Sequence, residues 1–127
     1  MTTIRGRLAP SPTGALHLGN VRTFLLAWLS VRAQGGEVVM RVEDLDGPRV
    51  KPGVMETMLD DLRWLGFDWN EGPDVGGSSG PYIQTQRLEL YDAAFARLQA
   101  AGRVYPCLCS RGDIERAASA PHPGEEG

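Results

Sequence analysis

The chain has 127 residues, 42% of them hydrophobic and 23% charged, with a formal net charge of −3; these are the proportions of one globular domain with its own core. The acidic balance argues against a generally basic nucleic-acid binder and leaves room for a local basic face, and no apolar run approaches the ~20 residues that span a bilayer. The start, MTTIRGRLAPSPTG, has no apolar block of a secretory kind and only two cysteines occur, so a cytoplasmic, reducing setting without a membrane partner is expected.

Residues 4–9 alternate, with Ile4, Gly6 and Leu8 on one face and Arg5, Arg7 and Ala9 on the other, which predicts a short strand. A loop stiffened by Pro10 and Pro12 follows. From about 20 to 34, Val21, Phe24, Leu25, Trp28, Leu29 and Val31 recur at helical spacing, and Gly35-Gly36 ends the helix. Residues 37–43 read as a second strand with Val38, Met40 and Val42 turned to the core. Strand, helix and strand in this span predict a βαβ unit with parallel strands and a right-handed crossover. A second helix opens at Lys51-Pro52-Gly53 and buries Val54, Met55, Met58, Leu59, Leu62 and Leu65 before Gly66. The polar loop NEGPDVGGSSGP covers 70–81. A third helix is expected from about 85 to 101 with Leu88, Tyr91, Phe95 and Leu98 inward, then a short edge strand at Val104-Tyr105-Pro106.

Ligands of open parallel sheets bind past the carboxyl ends of the strands, where the first loop feeds a helix N-terminus. RLAPSPTGALHLGN, residues 7–20, occupies that place. A helix N-terminus near Asn20 presents unpaired N–H groups to phosphate, and His17 stands beside it as a further donor. Capping or packing at the helix start is the competing role for this histidine. Neither GxGxxG after the first strand nor GxxxxGK[ST] is present, which disfavours dinucleotide-dependent dehydrogenases and P-loop NTPases.

The same stretch resembles the signature of class I glutamyl-tRNA synthetases and their shorter relatives, RFAPSPTG followed by a HIGH-type tetrapeptide. His17-Leu18-Gly19-Asn20 is similar to that tetrapeptide, Val39-Met40-Arg41-Val42-Glu43-Asp44-Leu45-Asp46 to the block R-[IV]-E-D-[LT]-D, and Gln84-Thr85-Gln86-Arg87 to Q-S-x-R. Leu8 replaces the common Phe and Asn20 the final His or Ser. The resemblance implies an α/β fold: the N-terminal part of a Rossmann-like catalytic domain, a parallel sheet with flanking helices. It implies a glutamate pocket made by Arg7, Ala9, Ser11 and Glu43, with Arg7 on a carboxylate and Glu43 on the α-ammonium. A surface Arg7–Glu43 ion pair is the plainer alternative. It also implies ATP held by Pro10, Thr13, Gly14, His17, Gly19 and Asn20, with His17, Gly19 and Asn20 as the catalytic set and Mg²⁺ accompanying the nucleotide. Glutamyl-adenylate and pyrophosphate would be the products.

Cys107-Leu108-Cys109 is poorly spaced for an internal disulfide and suits zinc, yet zinc takes four ligands and only His122 follows. Two free thiols are the alternative. In the family that the chain resembles, CxC opens a zinc site completed further along, which implies 1–105 as catalytic-domain sequence and 106–127 as the start of a zinc-binding insertion. CLCSRGDIERAASAPHPGEEG looks like the shorter branch, through its S-A-P-H element. That branch attaches glutamate to the queuosine base of tRNA(Asp) and activates it without tRNA; the longer branch charges tRNA(Glu) and needs the tRNA. The shorter branch is the expectation, as a monomer. The chain ends in a Pro- and Gly-rich segment, so a portion of a longer protein, inactive alone, is expected. A non-catalytic glutamate- or nucleotide-binding module and an RNA-binding interaction domain are the alternatives, the latter disfavoured by the acidic charge.

Overall fold

The computed structural model describes residues 3–118. They divide into two compact units, Met1–Tyr91 and Asp92–Gly127. The boundary read from the sequence at 105/106 falls inside the second.

In the first unit, strand β1 (Arg5–Leu8), helix α1 (Leu18–Arg32) and strand β2 (Glu37–Met40) form the βαβ unit. The strands are parallel, with Arg5 opposite Glu37, Gly6 opposite Val38, Arg7 opposite Val39 and Leu8 opposite Met40. Alternation explains the two faces. Leu8, Val38, Met40 and Val42 point one way and are buried to within 1% of full enclosure, while Arg5 and Arg7 take the opposite parity and stay exposed. The core gathers Leu8, Val31, Val38, Met40, Leu59, Leu62, Phe67 and Trp69. Each fully buried aliphatic among them contributes about 1.5–3 kcal/mol relative to exposure.

β2 is shorter than the expected 37–43, for a local reason. Arg41 N–H still reaches Leu8 O at 2.9 Å and Glu43 N–H reaches Pro10 O at 2.9 Å, but Pro10 has no N–H to return, so the ladder becomes one-sided. On its other side β2 is flanked by loop backbone: Met40 N–H donates to Glu71 O (2.8 Å) and Val42 N–H to Tyr82 O (2.9 Å).

α1 lays Val21, Phe24, Ala27, Trp28 and Val31 toward the core, while Leu25 and Leu29 remain 43% and 48% exposed. Gly35, at φ +66°, turns the chain from the helix into β2. Arg32, in the last turn, binds Asp68 Oδ1 (2.9 Å), Asn70 Oδ1 (2.8 Å) and Gly36 O (3.1 Å). Asn70 Oδ1 also accepts from Val38 N–H at 2.9 Å, so one cation fastens helix, strand and loop. Helix α2 (Val54–Trp64) buries Met58, Leu59 and Leu62 as expected, but Leu65, just past its end, is 44% exposed.

The third helical segment begins as a 3₁₀ turn, Gln84–Arg87, and continues as helix α3 (Leu88–Ala100). None of its residues is buried; Leu88, Phe95 and Leu98 are 51%, 57% and 49% exposed, which corrects their expected inward placement. Its apolar residues have helical spacing, but spacing alone does not supply an opposing layer.

In the second unit Val104-Tyr105-Pro106 forms no strand: Pro106 lacks a donor, and among the described residues of that unit there is no strand to pair with it. Helix α4 (Arg111–Ala118) starts at a reciprocal cap: Ser110 Oγ and Ser110 N–H both donate to Asp113 Oδ2, at 2.6 and 2.8 Å. The Ser110 hydroxyl foremost, then its backbone N–H, holds the Asp113 carboxyl below its ordinary value. Arg111-Gly112-Asp113 is thereby accounted for as a helix start. Among the described residues no helix is long and apolar enough to cross a membrane.

Candidate active site

Of the first unit's cavities, one opens at the βα loop beside His17 and another on the polar face of the sheet. The first, about 210 Å³, is lined by Pro10, Ser11, Thr13, Gly14, Ala15, Leu16, His17, Asn20 and Phe24. Six of the site residues expected from the sequence therefore share one hollow. Ser11, expected beside the amino acid, lies in this cavity, and Gly19 is outside its lining.

α1 begins at Leu18, two residues before the expected start, and His17 is its cap. The imidazole Nδ1 accepts Gly19 N–H at 3.1 Å, and Asn20 Oδ1 accepts His17 N–H at 3.2 Å. Asn20 N–H turns back to His17 O at 2.9 Å. The helix start thus satisfies most of its own donors, and the expected row of unpaired N–H groups is reduced among the described residues to that of Leu18. The cap has a chemical consequence. With Nδ1 accepting, the neutral ring carries its proton on Nε2, which makes the outer nitrogen a donor. Gly19 makes this geometry possible: a Cβ there would lie 2.9 Å from His17 Cε1 and 3.0 Å from Nδ1.

The second cavity, about 280 Å³, lies on the polar sheet face between Arg5, Gly6, Arg7, Val39 and Ser79. Arg7 is exposed there and has no ion pair among the described residues. The alternative Arg7–Glu43 pair does not form, because Glu43 accepts from Arg41 Nη2 at 2.6 Å. Ala9 is half-buried, and neither Ala9 nor Glu43 lines either of these cavities.

Glu71 was not singled out in the sequence and proves to be a hub. Its residue is 9% exposed. Oε1 accepts from Arg5 Nη2 at 2.5 Å; Oε2 accepts from Tyr82 OH at 2.5 Å and Ser79 N–H at 3.0 Å. The Tyr82 hydroxyl is the largest of several influences that together hold its carboxyl below the ordinary glutamate value, against the opposing effect of burial. Burial first, then the bond to Glu71, pushes the Tyr82 phenol above its ordinary value. Asp44 is a second unforeseen tie, accepting from Thr85 N–H (2.8 Å) and Oγ1 (2.6 Å). It fastens the block around Glu43 to the block Gln84–Arg87.

Cys107 and Cys109 are both free and exposed. Among the described residues no group of three or more His, Cys, Asp or Glu side chains could hold a metal ion. His122 and the S-A-P-H element, Ser119 to His122, lie outside the described residues.

A parallel βαβ unit with a capped helix start beside a hollow in its first loop has the architecture of an open α/β domain, in which ligands bind past the carboxyl ends of the strands. The family described as tRNA synthetases class I (E and Q), catalytic domain, matches residues 3–123. The chain belongs to that family, and its fold is the Rossmann-like one of the class. It is 61% identical over 92% of its length to a glutamyl-Q tRNA(Asp) synthetase of Symbiobacterium thermophilum, covering 36% of that protein. It is 51% identical over 93% of its length to glutamate–tRNA ligase 1 of Halorhodospira halophila, covering 25% of it. Among solved structures, a glutamate tRNA ligase of Elizabethkingia meningosepticum, crystallised in complex with its amino acid, superposes with a TM-score of 0.79 at 35% identity, over 91% of this chain and 23% of that one. The chain thus spans about a third or less of the length of these relatives.

Proposed function

We propose that this chain carries the amino-acid and ATP sites of an enzyme that activates glutamate and transfers it to the queuosine base of tRNA(Asp). The observation that carries the reading is the presence of two sites in one unit: an Arg7 guanidinium on the polar sheet face with no ion pair among the described residues, and a loop cavity rimmed by an imidazole whose Nε2 is left to donate. Arg7 binds one carboxylate of glutamate as a charge-assisted, bidentate partner. Glu43 takes the α-ammonium, sharing its charge with Arg41, and Ala9 and Ser11 fill the remaining wall.

ATP lies along residues 10–20. The α-carboxylate oxygen attacks the α-phosphorus, a C–O–P linkage forms, the bond to the bridging oxygen breaks, and pyrophosphate leaves with both electrons. His17 Nε2 and Leu18 N–H donate to phosphate oxygens as charge builds on them. Gly19 N–H holds the ring in that pose, and Asn20 Oδ1 fixes the His17 backbone N–H. Mg²⁺ accompanying the nucleotide would supply charge neutralisation for the departing pyrophosphate. Cys107 and Cys109 offer two of the four donors that zinc takes, so the residues described do not complete a zinc site and no step is assigned to one.

The 61% identity to a glutamyl-Q tRNA(Asp) synthetase against 51% to a glutamate–tRNA ligase favours the queuosine acceptor. So does the CLCSRGDIERAASAPHPGEEG run. A cytoplasmic setting, where both thiols stay reduced, belongs to the same proposal, as does a monomer. The test is transfer of labelled glutamate by the full-length gene product onto purified tRNAs. Label on queuosine-bearing tRNA(Asp) is expected; label on tRNA(Glu) alone would assign the chain to the second reading, tRNA(Glu) charging.

A further inference from the structure

We propose that Glu71 is a positioning residue for the amino-acid site: it holds Arg5 so that Arg7 is the one guanidinium lining the sheet-face cavity without an anionic partner. This rests on the glutamate-activating reading above and extends it to a residue that does not touch the substrate.

The two arginines alternate along β1 and point to the same side of the sheet. Both line the cavity, so a carboxylate entering it meets two candidate cations. They differ in what already binds them. Arg5 makes ion pairs with Glu71 (2.5 Å) and Glu37 (3.6 Å), and its Nη1 and Nη2 donate to Ser79 Oγ at 3.3 and 3.2 Å.

Glu71 is placed to do this by the backbone. Its carbonyl accepts Met40 N–H (2.8 Å), and it bridges Val39, the residue opposite Arg7 in the sheet. The carboxylate then binds Arg5 with one oxygen and the wall of the cavity with the other, through Ser79 N–H. Tyr82 OH completes the clamp, accepting from Ser79 N–H at 3.0 Å while it donates to Glu71. Packing leaves no slack at this point: a Cβ on Gly77 would lie 2.5 Å from both Glu71 Cγ and Tyr82 OH. A released Arg5 would offer the substrate carboxylate a second, misplaced partner and free the Ser79 hydroxyl from the wall.

The experiment measures KM for glutamate and for ATP in pyrophosphate exchange by the full-length gene product, with tRNA present so that either acceptor reading supports turnover. Glu71→Gln keeps the size and the Tyr82 contact but removes the charge that holds Arg5. It is expected to raise the glutamate KM roughly tenfold, the loss of about one hydrogen bond to a charged group, with the ATP KM within about twofold. Adding Arg5→Met to it is expected to bring the glutamate KM back toward the unmodified value, because the misplaced cation is gone. A purely structural Glu71 would show no such rescue. Arg5→Met alone leaves the Glu71 carboxylate without its partner beside Arg7 and is expected to raise the glutamate KM a few-fold, less than Arg7→Ala does; an unchanged value overturns the proposal even if Glu71→Gln does not fold. The proposal is overturned by an unchanged glutamate KM in Glu71→Gln, by equal shifts for both substrates, or by Arg5→Met alone raising the glutamate KM as Arg7→Ala does. Arg7→Ala is the control on the underlying reading: if it weakens glutamate and ATP alike, the glutamate site itself is misassigned.

Discussion

At the scale of single residues, His17 combines two duties that substitution can separate. Its Nδ1 caps α1 while the residue lines the loop cavity, and the proposed function gives its Nε2 to phosphate. Asparagine is among the best helix caps but has no donor where Nε2 lies. His17→Asn is therefore expected to keep the urea midpoint close to that of the unmodified protein while lowering the exchange rate by about 10²-fold, as for loss of a donor to developing charge. His17→Ala should lose both, at a cost of about 0.5–2 kcal/mol in stability. Equal activity losses with unchanged stability in both variants would remove the capping role. Glu71 makes a prediction about pH. Its folded pKa lies below the ordinary 4.5, so its contribution to stability is present above that value and fades as pH falls through the lower folded one. The stability gap between the unmodified protein and Glu71→Gln should be widest near neutral pH and narrow in acid. A gap that widens on acidification would contradict the assignment. The sequence exposed His17 because prolines and glycines crowd around it. It hid Glu71, whose decisive partner Arg5 is 66 residues away in the chain.

At the scale of elements, the period-two pattern was sufficient where both sides of a strand have different environments. Val38, Met40 and Val42, which alternation turns to the core, are fully buried, and Leu8 on the neighbouring strand joins them at 1% exposure. Helices were less legible. α1 carries apolar residues around much of its circumference, and periodicity could not tell that Val21, Phe24, Trp28 and Val31 face the core while Leu25 and Leu29 do not. α3 has the spacing of an amphipathic helix without a buried residue. Leu62, fully buried on α2 within the central cluster, gives the clearest energetic test. Leu62→Ala should cost about 2–5 kcal/mol, read from the shift in urea midpoint. Leu98→Ala on α3 should cost under about 1 kcal/mol, because half of that side chain already faces solvent. Similar losses at both positions would mean that α3 is covered in solution.

At the scale of the molecule, three sequence blocks far apart in the chain converge on the same end of the sheet. The loop after β1 supplies the hollow, the continuation of β2 supplies Glu43, and Asp44 ties the latter to Thr85 in the third block. The ordered motif blocks make the family legible in one sequence, and the CLCSRGDIERAASAPHPGEEG run points to the shorter branch; the residues lining the two cavities, which the proposed function gives to glutamate and ATP, add nothing about the tRNA base. The central claim is that these sites together activate glutamate without help from RNA. Glutamate-dependent exchange of labelled pyrophosphate into ATP, by the full-length gene product with and without tRNA, tests it most directly. Exchange that proceeds without tRNA is the predicted result; exchange that appears only when tRNA(Glu) is added would contradict the account.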